Sequence, residues 1–265
     1  VSTYLAVGSV CWDVVEGSDE ARLGGSVLFA SRVAQAAGWQ ATVITSGTAG
    51  LEEALRRALP GIEVVVQRSA EDTVMWFPAA ADLGPQAVPT VADPIDLGAG
   101  LGGRAVAEGV DVVHLAPIMG EVTPELVGQV RGAPFVGITP QGLLRHREPG
   151  TGRLLRRPDL DAWWAGDVRA AVLSEDEHAL VAEPSSLDGI ALAITRGERG
   201  CTGRSRGEEV DVAGIELASV SPVGTIGAGD VFAAAFFLSL ASATPFRAAL
   251  EHANRSAADH VGGIT

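Results

Sequence analysis

The chain has 265 residues, of which 47% are hydrophobic and 20% charged, and carries a formal net charge of -14. That length buries one substantial core, the acidity excludes a broad nucleic-acid or anionic-membrane surface, and no apolar run nears the roughly 20 residues that span a bilayer. The first residues lack the basic segment and apolar run of a secretory signal, and Cys11 and Cys201 are too few for a disulfide framework, so a cytoplasmic protein with plain thiols is expected.

From the N-terminus, short β-rich runs alternate with Ala-rich helical stretches. Strands are predicted over 4–7, 41–45, 63–66, 111–115, 135–138, 170–173 and 190–195, and helices over 27–37, 51–58, 124–130, 176–182, 230–241 and 245–260. The alternation is that of an α/β fold, a mainly parallel sheet covered by helices on both faces. Two stretches interrupt it. Residues 10–23, ahead of or touching the Gly24–Gly25 pair, and 67–78 read as strand or turn without helical partners, either a small β flap over one edge of the sheet or an irregular hairpin. Residues 142–158, rich in Arg, Gly and Pro, read as a long loop. No repeat or long linker divides the chain, so 1–265 is expected to be one domain.

Chemistry concentrates in Thr225, Ile226, Gly227, Ala228, Gly229 and Asp230, which lead into the apolar stretch 231–240. Glycines at 227 and 229 permit a tight turn and close ligand approach, so that several N–H groups can point at one phosphate. The positive end of the following helix adds to the attraction, and Asp230 in its first turn is placed to take a proton from an attacking hydroxyl. An ordinary turn with an acid at a helix start explains the same letters. The chain has no GxxxxGK[ST] and no GxGxxG after its first strand, which excludes those two phosphate-binding devices.

This segment resembles the second signature of the ribokinase-like (PfkB) carbohydrate kinases, Asp-Thr-x-Gly-Ala-Gly-Asp, with Gly224 where the pattern opens on Asp. The resemblance implies a ribokinase-like three-layer sandwich, ATP and Mg2+ as cofactors, Asp230 as catalytic base and the amides of Gly227, Ala228 and Gly229 as an anion hole. Gly24 and Gly25 before a helix resemble the first signature, where Phe29 stands at the place of a substrate-binding Asn. Asp13, a short turn beyond the first strand, corresponds to a carboxylate that holds substrate hydroxyls. Ser174 and Glu177 resemble an Asn-x-x-Glu motif in which the Glu orders water around the metal, although a helix capping box gives the same letters. Thr195, Gly197 and Gly200 resemble the turn that lies along the nucleotide, with Thr225 and Asn254 beside it.

Val7, Gly8, Cys11, Asp13 and Val14, then Gly24, Gly25, Phe29 and Ser31, Gln141, Leu144 and Arg145, and finally His260, Val261 and Gly262 are similar to the inositol 3-kinase-like branch. That branch implies a sugar or cyclic polyol such as myo-inositol as the small-molecule substrate, with Gln141 and Arg145 reaching substrate or phosphate. Thr139 stands where the branch commonly has Asp. A nucleoside kinase of the same fold and a non-catalytic nucleotide-binding regulator are the alternative readings. Flap strands of this family pair across a dimer, which leaves a homodimer open.

Overall fold

The computed structural model describes residues 1–18, 20–79, 85–98, 109–159, 161–217, 220 and 225–263. Fourteen strands are present among them: β1 (Thr3–Val7), β2 (Cys11–Val15), β3 (Ala21–Gly24), β4 (Gln40–Gly47), β5 (Glu63–Arg68), β6 (Thr73–Phe77), β7 (Val112–Leu115), β8 (Phe135–Ile138), β9 (Arg145–Arg147), β10 (Leu154–Arg156), β11 (Ala170–Ser174), β12 (Ala191–Thr195), β13 (Gly200–Ser205) and β14 (Glu208–Ala213). The main sheet runs β14-β13-β12-β11-β8-β7-β1-β4-β5. Its pairings are parallel from β12 through to β5, and antiparallel only in the β12-β13-β14 end.

Strand β1 shows how the layers form. Tyr4 and Ala6 point into one core with the helices Ser26–Ala36, Ala228–Ala241 and Phe246–Val261, while Leu5 and Val7 point into the other with Pro124–Val130 and Trp164. This period-two division buries Tyr4 to Val7 on both faces of the sheet. The Ala228–Ala241 helix is apolar all round because it lies between the sheet and two helices; nine of its residues, from Val231 to Ser239, are buried.

The predicted interruption is a separate three-stranded sheet, β3-β2-β6, with β2 antiparallel to β3 and parallel to β6. Its root is tied to the body. Asp72 accepts from Trp12 Nε1 at 3.0 Å and from Thr48 N and Oγ1 at 2.7 and 3.1 Å, while Val10 N donates to Thr45 Oγ1 at 2.9 Å. The expected long loop at 142–158 instead holds a 3-10 turn, Pro140–Leu144, and the antiparallel pair β9-β10. The helix expected over 176–182 is a single turn, Glu175–His178, and the hairpin of β13 and β14 was not foreseen. No helix among the described residues is long and apolar enough to cross a membrane.

Candidate active site

The Thr225–Asp230 turn sits at the N-terminus of the Ala228–Ala241 helix. Gly227 is its N-cap, left-handed at φ 81° and ψ -3°, a conformation that a side chain disfavours. The helix begins with Val231 N donating to Gly227 O at 2.9 Å, and Ala228 N donates a long 3.4 Å bond to Thr225 O. The N–H groups of Gly227 and Gly229 have no backbone acceptor among the described residues, as expected of the first amides of a helix. A Cβ at Gly229 would meet open space. Gly224, the departure from the family pattern, lies outside the described residues.

Phe29 lies beneath this turn. A Cβ at Gly227 would fall 2.6 Å from its ring, and the ring packs edge-on against His260, centroids 5.7 Å apart. His260 Nε2 in turn donates to Ile226 O at 2.8 Å. Phe29 and His260 therefore brace the turn, one from each flanking helix.

Asp230 is half-buried, and burial pushes its carboxyl up to about 6; the nearby Ser26 hydroxyl and the charge of Arg145 oppose that shift, and Glu177 adds to it. Arg145 loses some of its own basicity to burial, against the favourable charges of Glu177 and Asp230. Its guanidinium donates to Gln141 Oε1 at 3.2 Å and to Ile118 O at 3.3 Å, and Gln141 Nε2 donates to Ser26 Oγ at 2.6 Å. Nothing in the sequence marked Ser26 beyond its place after two glycines.

Asp13 stands on β2 at the root of the flap. Cys11 Sγ donates to it at 3.2 Å, and burial raises its carboxyl above the usual range. Gly24 on β3 leaves the room it occupies: a Cβ there would lie 2.1 Å from Asp13 Oδ2. Gly25, at φ 103°, brings the chain so near that a Cβ would fall 2.5 Å from Ser9 O. The buried Glu121 fixes the facing loop by accepting from the N–H groups of Ser9, Ile118 and Met119 at 2.6, 2.9 and 2.8 Å. Cys11, Met75 and Ile118 form a small apolar cluster there, flanked by Phe77 and Met119.

On the other side of the glycine turn lies a cavity of about 890 Å³. All five residues assigned to the nucleotide line it: Thr195, Gly197, Gly200, Thr225 and Asn254. Ala228 and Gly229 form its inner end, and Phe232, Ile215 and Leu217, which had not been singled out, give it apolar walls. Gly200, at φ 88°, is forced by the hairpin: a Cβ would lie 2.1 Å from Val212 O. Asn254 Nδ2 donates to Ala213 O at 2.9 Å, which joins the last helix to the end of β14.

Glu177 completes a capping box, accepting from Ser174 N at 2.8 Å while its own N–H donates to Ser174 Oγ at 3.2 Å. No group of three or more His, Cys, Asp or Glu side chains that could hold a metal exists among the described residues.

Residues 160–262 match the model of the pfkB family carbohydrate kinases. Over that span the chain is similar to the pfkB carbohydrate kinases. It contains Glu177, the Thr195–Gly200 turn, the glycine turn with Asp230, and Asn254. A search of curated proteins returns no match. Among solved structures, a pyrophosphate-dependent kinase in the ribokinase family, complexed with a pyrophosphate analog and myo-inositol, superposes with a TM-score of 0.78 at 20% identity, over 98% of this chain and 95% of that one. Arabidopsis thaliana ribokinase complexed with ribose and ATP superposes at 0.70 with 17% identity, over 98% and 92%. An uncharacterized sugar kinase from Pyrococcus horikoshii superposes at 0.70 with 18% identity, over 97% and 91%. The pfkB match and the ribokinase fold make the chain a phosphotransferase.

Proposed function

We propose that this pfkB-type kinase transfers the γ-phosphoryl group of ATP to a hydroxyl of a sugar or cyclic polyol, with an inositol as the favoured acceptor. The observation that carries the reading is the placement of Asp230. It stands in the first turn of the helix whose free amides and glycines open onto the 890 Å³ cavity, and it shares electrostatic contact with Arg145.

A carboxylate held near 6 is mostly ionised at neutral pH and still basic enough to take the hydroxyl proton. Charge developing on the transferred phosphoryl group falls to the N–H groups of Gly227 and Gly229 and to the helix N-terminus. Arg145 would hold a phosphate or the acceptor. Asp13, an acceptor-only group, suits two adjacent hydroxyls, which is the reason for preferring a polyol. Magnesium bound with the nucleotide would neutralise phosphate charge; such an ion is held largely by phosphate oxygens and water, so Glu177 would act through water.

A second reading has pyrophosphate as donor, because the inositol-bound structure of similar fold is a pyrophosphate-dependent kinase. The apolar walls at Phe232, Ile215 and Leu217 favour a nucleotide, since pyrophosphate has no apolar part to bury. The test is phosphoryl transfer from Mg·ATP and from Mg·pyrophosphate across inositols, sugars and nucleosides. Transfer from ATP to an inositol is the expected result. Turnover confined to nucleosides would overturn the acceptor assignment, and turnover with pyrophosphate alone the donor assignment.

A further inference from the structure

Asp13 is gripped by the pair of residues that face each other at the root of the small sheet. Cys11 on β2 and Gly24 on β3 are register partners. Cys11 precedes Asp13 by two residues, so both side chains leave the same face of the strand, and Cys11 Sγ donates to Asp13 Oδ1 at 3.2 Å. Gly24 supplies the room. A Cβ on it would lie 2.1 Å from Oδ2, 2.6 Å from Cγ and 2.8 Å from Oδ1, so the whole carboxylate rests against its backbone. Met75 and Ile118 complete an apolar cluster with Cys11.

A carboxylate accepts only, so the shared proton belongs to the thiol. Burial, and after it the Asp13 charge, raise the Cys11 thiol well above its usual range, which keeps that proton on sulfur. No other side chain or amide among the described residues donates to the Asp13 carboxyl. The last torsion of an aspartate is broad and two-fold when nothing holds it. A thiol is a weak donor that also suits an apolar cluster, so it sets that torsion at one oxygen without neutralising the charge. An arginine partner would occupy both oxygens at once.

We propose that Cys11 is a positioning residue for the acceptor site: its thiol fixes the rotation of the Asp13 carboxylate and leaves the remaining lone pairs to two adjacent hydroxyls of the substrate. The inference rests on Asp13 as the group that binds the acceptor. Cys11 is 1% exposed, out of a ligand's reach, so its effect passes through Asp13. The other cysteine, Cys201, is buried in the large core, and its thiol donates no hydrogen bond among the described residues. It serves as an internal reference.

The S–H stretching band in the infrared reads the bond directly and needs no turnover. The band missing from Cys11→Ser is that of Cys11, and the band missing from Cys201→Ser is that of Cys201. The Cys11 band is expected at the lower frequency, and in Asp13→Ala it should move up toward that of Cys201. The positioning role is read with Mg·ATP and myo-inositol. Cys11→Ala should raise KM for myo-inositol about three- to tenfold, the loss of one orienting bond, with KM for ATP unchanged. Cys11→Ser, which keeps a donor, should recover most of that loss. Cys11→Val, which fills the cluster without donating, should match Cys11→Ala and serves if that variant does not fold. A Cys11 band that coincides with that of Cys201 and ignores Asp13→Ala overturns the bond, and an unchanged KM in folded Cys11→Ala or Cys11→Val overturns the role. A shifted band together with a KM for myo-inositol indifferent to Asp13→Ala would instead defeat the reading of Asp13, and the positioning role with it.

Discussion

The ring of Phe29 occupies the space that a side chain at Gly227 would need, with Cδ1 and Cγ both 2.6 Å from the position of a Cβ. Gly227 is thus constrained twice, by its left-handed backbone and by an aromatic ring from the neighbouring helix. Gly227→Ala should cost about 1–2 kcal/mol for the backbone alone and more for the displaced ring. We expect turnover to fall by about 100-fold, with the double variant Gly227→Ala, Phe29→Ala recovering thermal stability in part but not turnover. Melting curves and initial rates on the two proteins check this.

Asp230→Asn keeps the glycine turn and its amides but removes the base. Loss of about 10²- to 10⁴-fold in kcat is expected, with nucleotide affinity by calorimetry within about threefold of the parent.

The same substitution should stabilise the fold. Asp230 binds its proton more tightly when folded, near 6, than at the ordinary 3.8. Stability therefore falls as pH rises from about 4 to about 6, and the deficit persists above that range. Asp230→Asn should melt higher than the parent by several degrees at pH 7.5, on the order of 2–3 kcal/mol before solvent screening reduces it, and the difference should close below pH 4. A parent chain that melts no lower than the variant at pH 7.5 contradicts the strain assigned to this carboxyl.

Ala258 lines the 890 Å³ cavity from the last helix. Ala258→Trp should fill much of the space proposed for the nucleotide, raising KM for ATP about tenfold or more while leaving any turnover with pyrophosphate unaffected. Equal loss with both donors would place the nucleoside part of ATP elsewhere.

Gly24→Ala puts a methyl 2.1 Å from Asp13 Oδ2, so the carboxylate must move. Because Gly24 lies at the flap and not in the nucleotide cavity, KM for the acceptor should rise about tenfold or more with KM for ATP unchanged. Steady-state kinetics with each substrate varied separates the two.

The parallel strands were legible because both faces of each are buried, which leaves Phe135–Ile138 apolar throughout and Val112–Leu115 apolar but for the buried His114. The β13-β14 hairpin was not, because Gly200 and Gly203 dilute its strand signal and Glu208, Glu209 and Asp211 are exposed at the sheet edge. The β9-β10 pair hides in arginines for the same reason. At the site, the glycine turn and the five cavity residues could be found locally, each as a short motif. Ser26 could not. Its hydrogen bond with Gln141 spans 115 positions of the chain.

The three contacts that Asp72 accepts lie at the root of the small sheet, where Cys11 pairs with both Gly24 and Thr73. At the far end Val15 is exposed, while Phe77 packs beside the Cys11, Met75 and Ile118 cluster. The small sheet is therefore tied to the body most densely where it carries Asp13. A molecule arriving there would meet a carboxylate at the anchored end of the small sheet, so its hydroxyls would find a partner already in place.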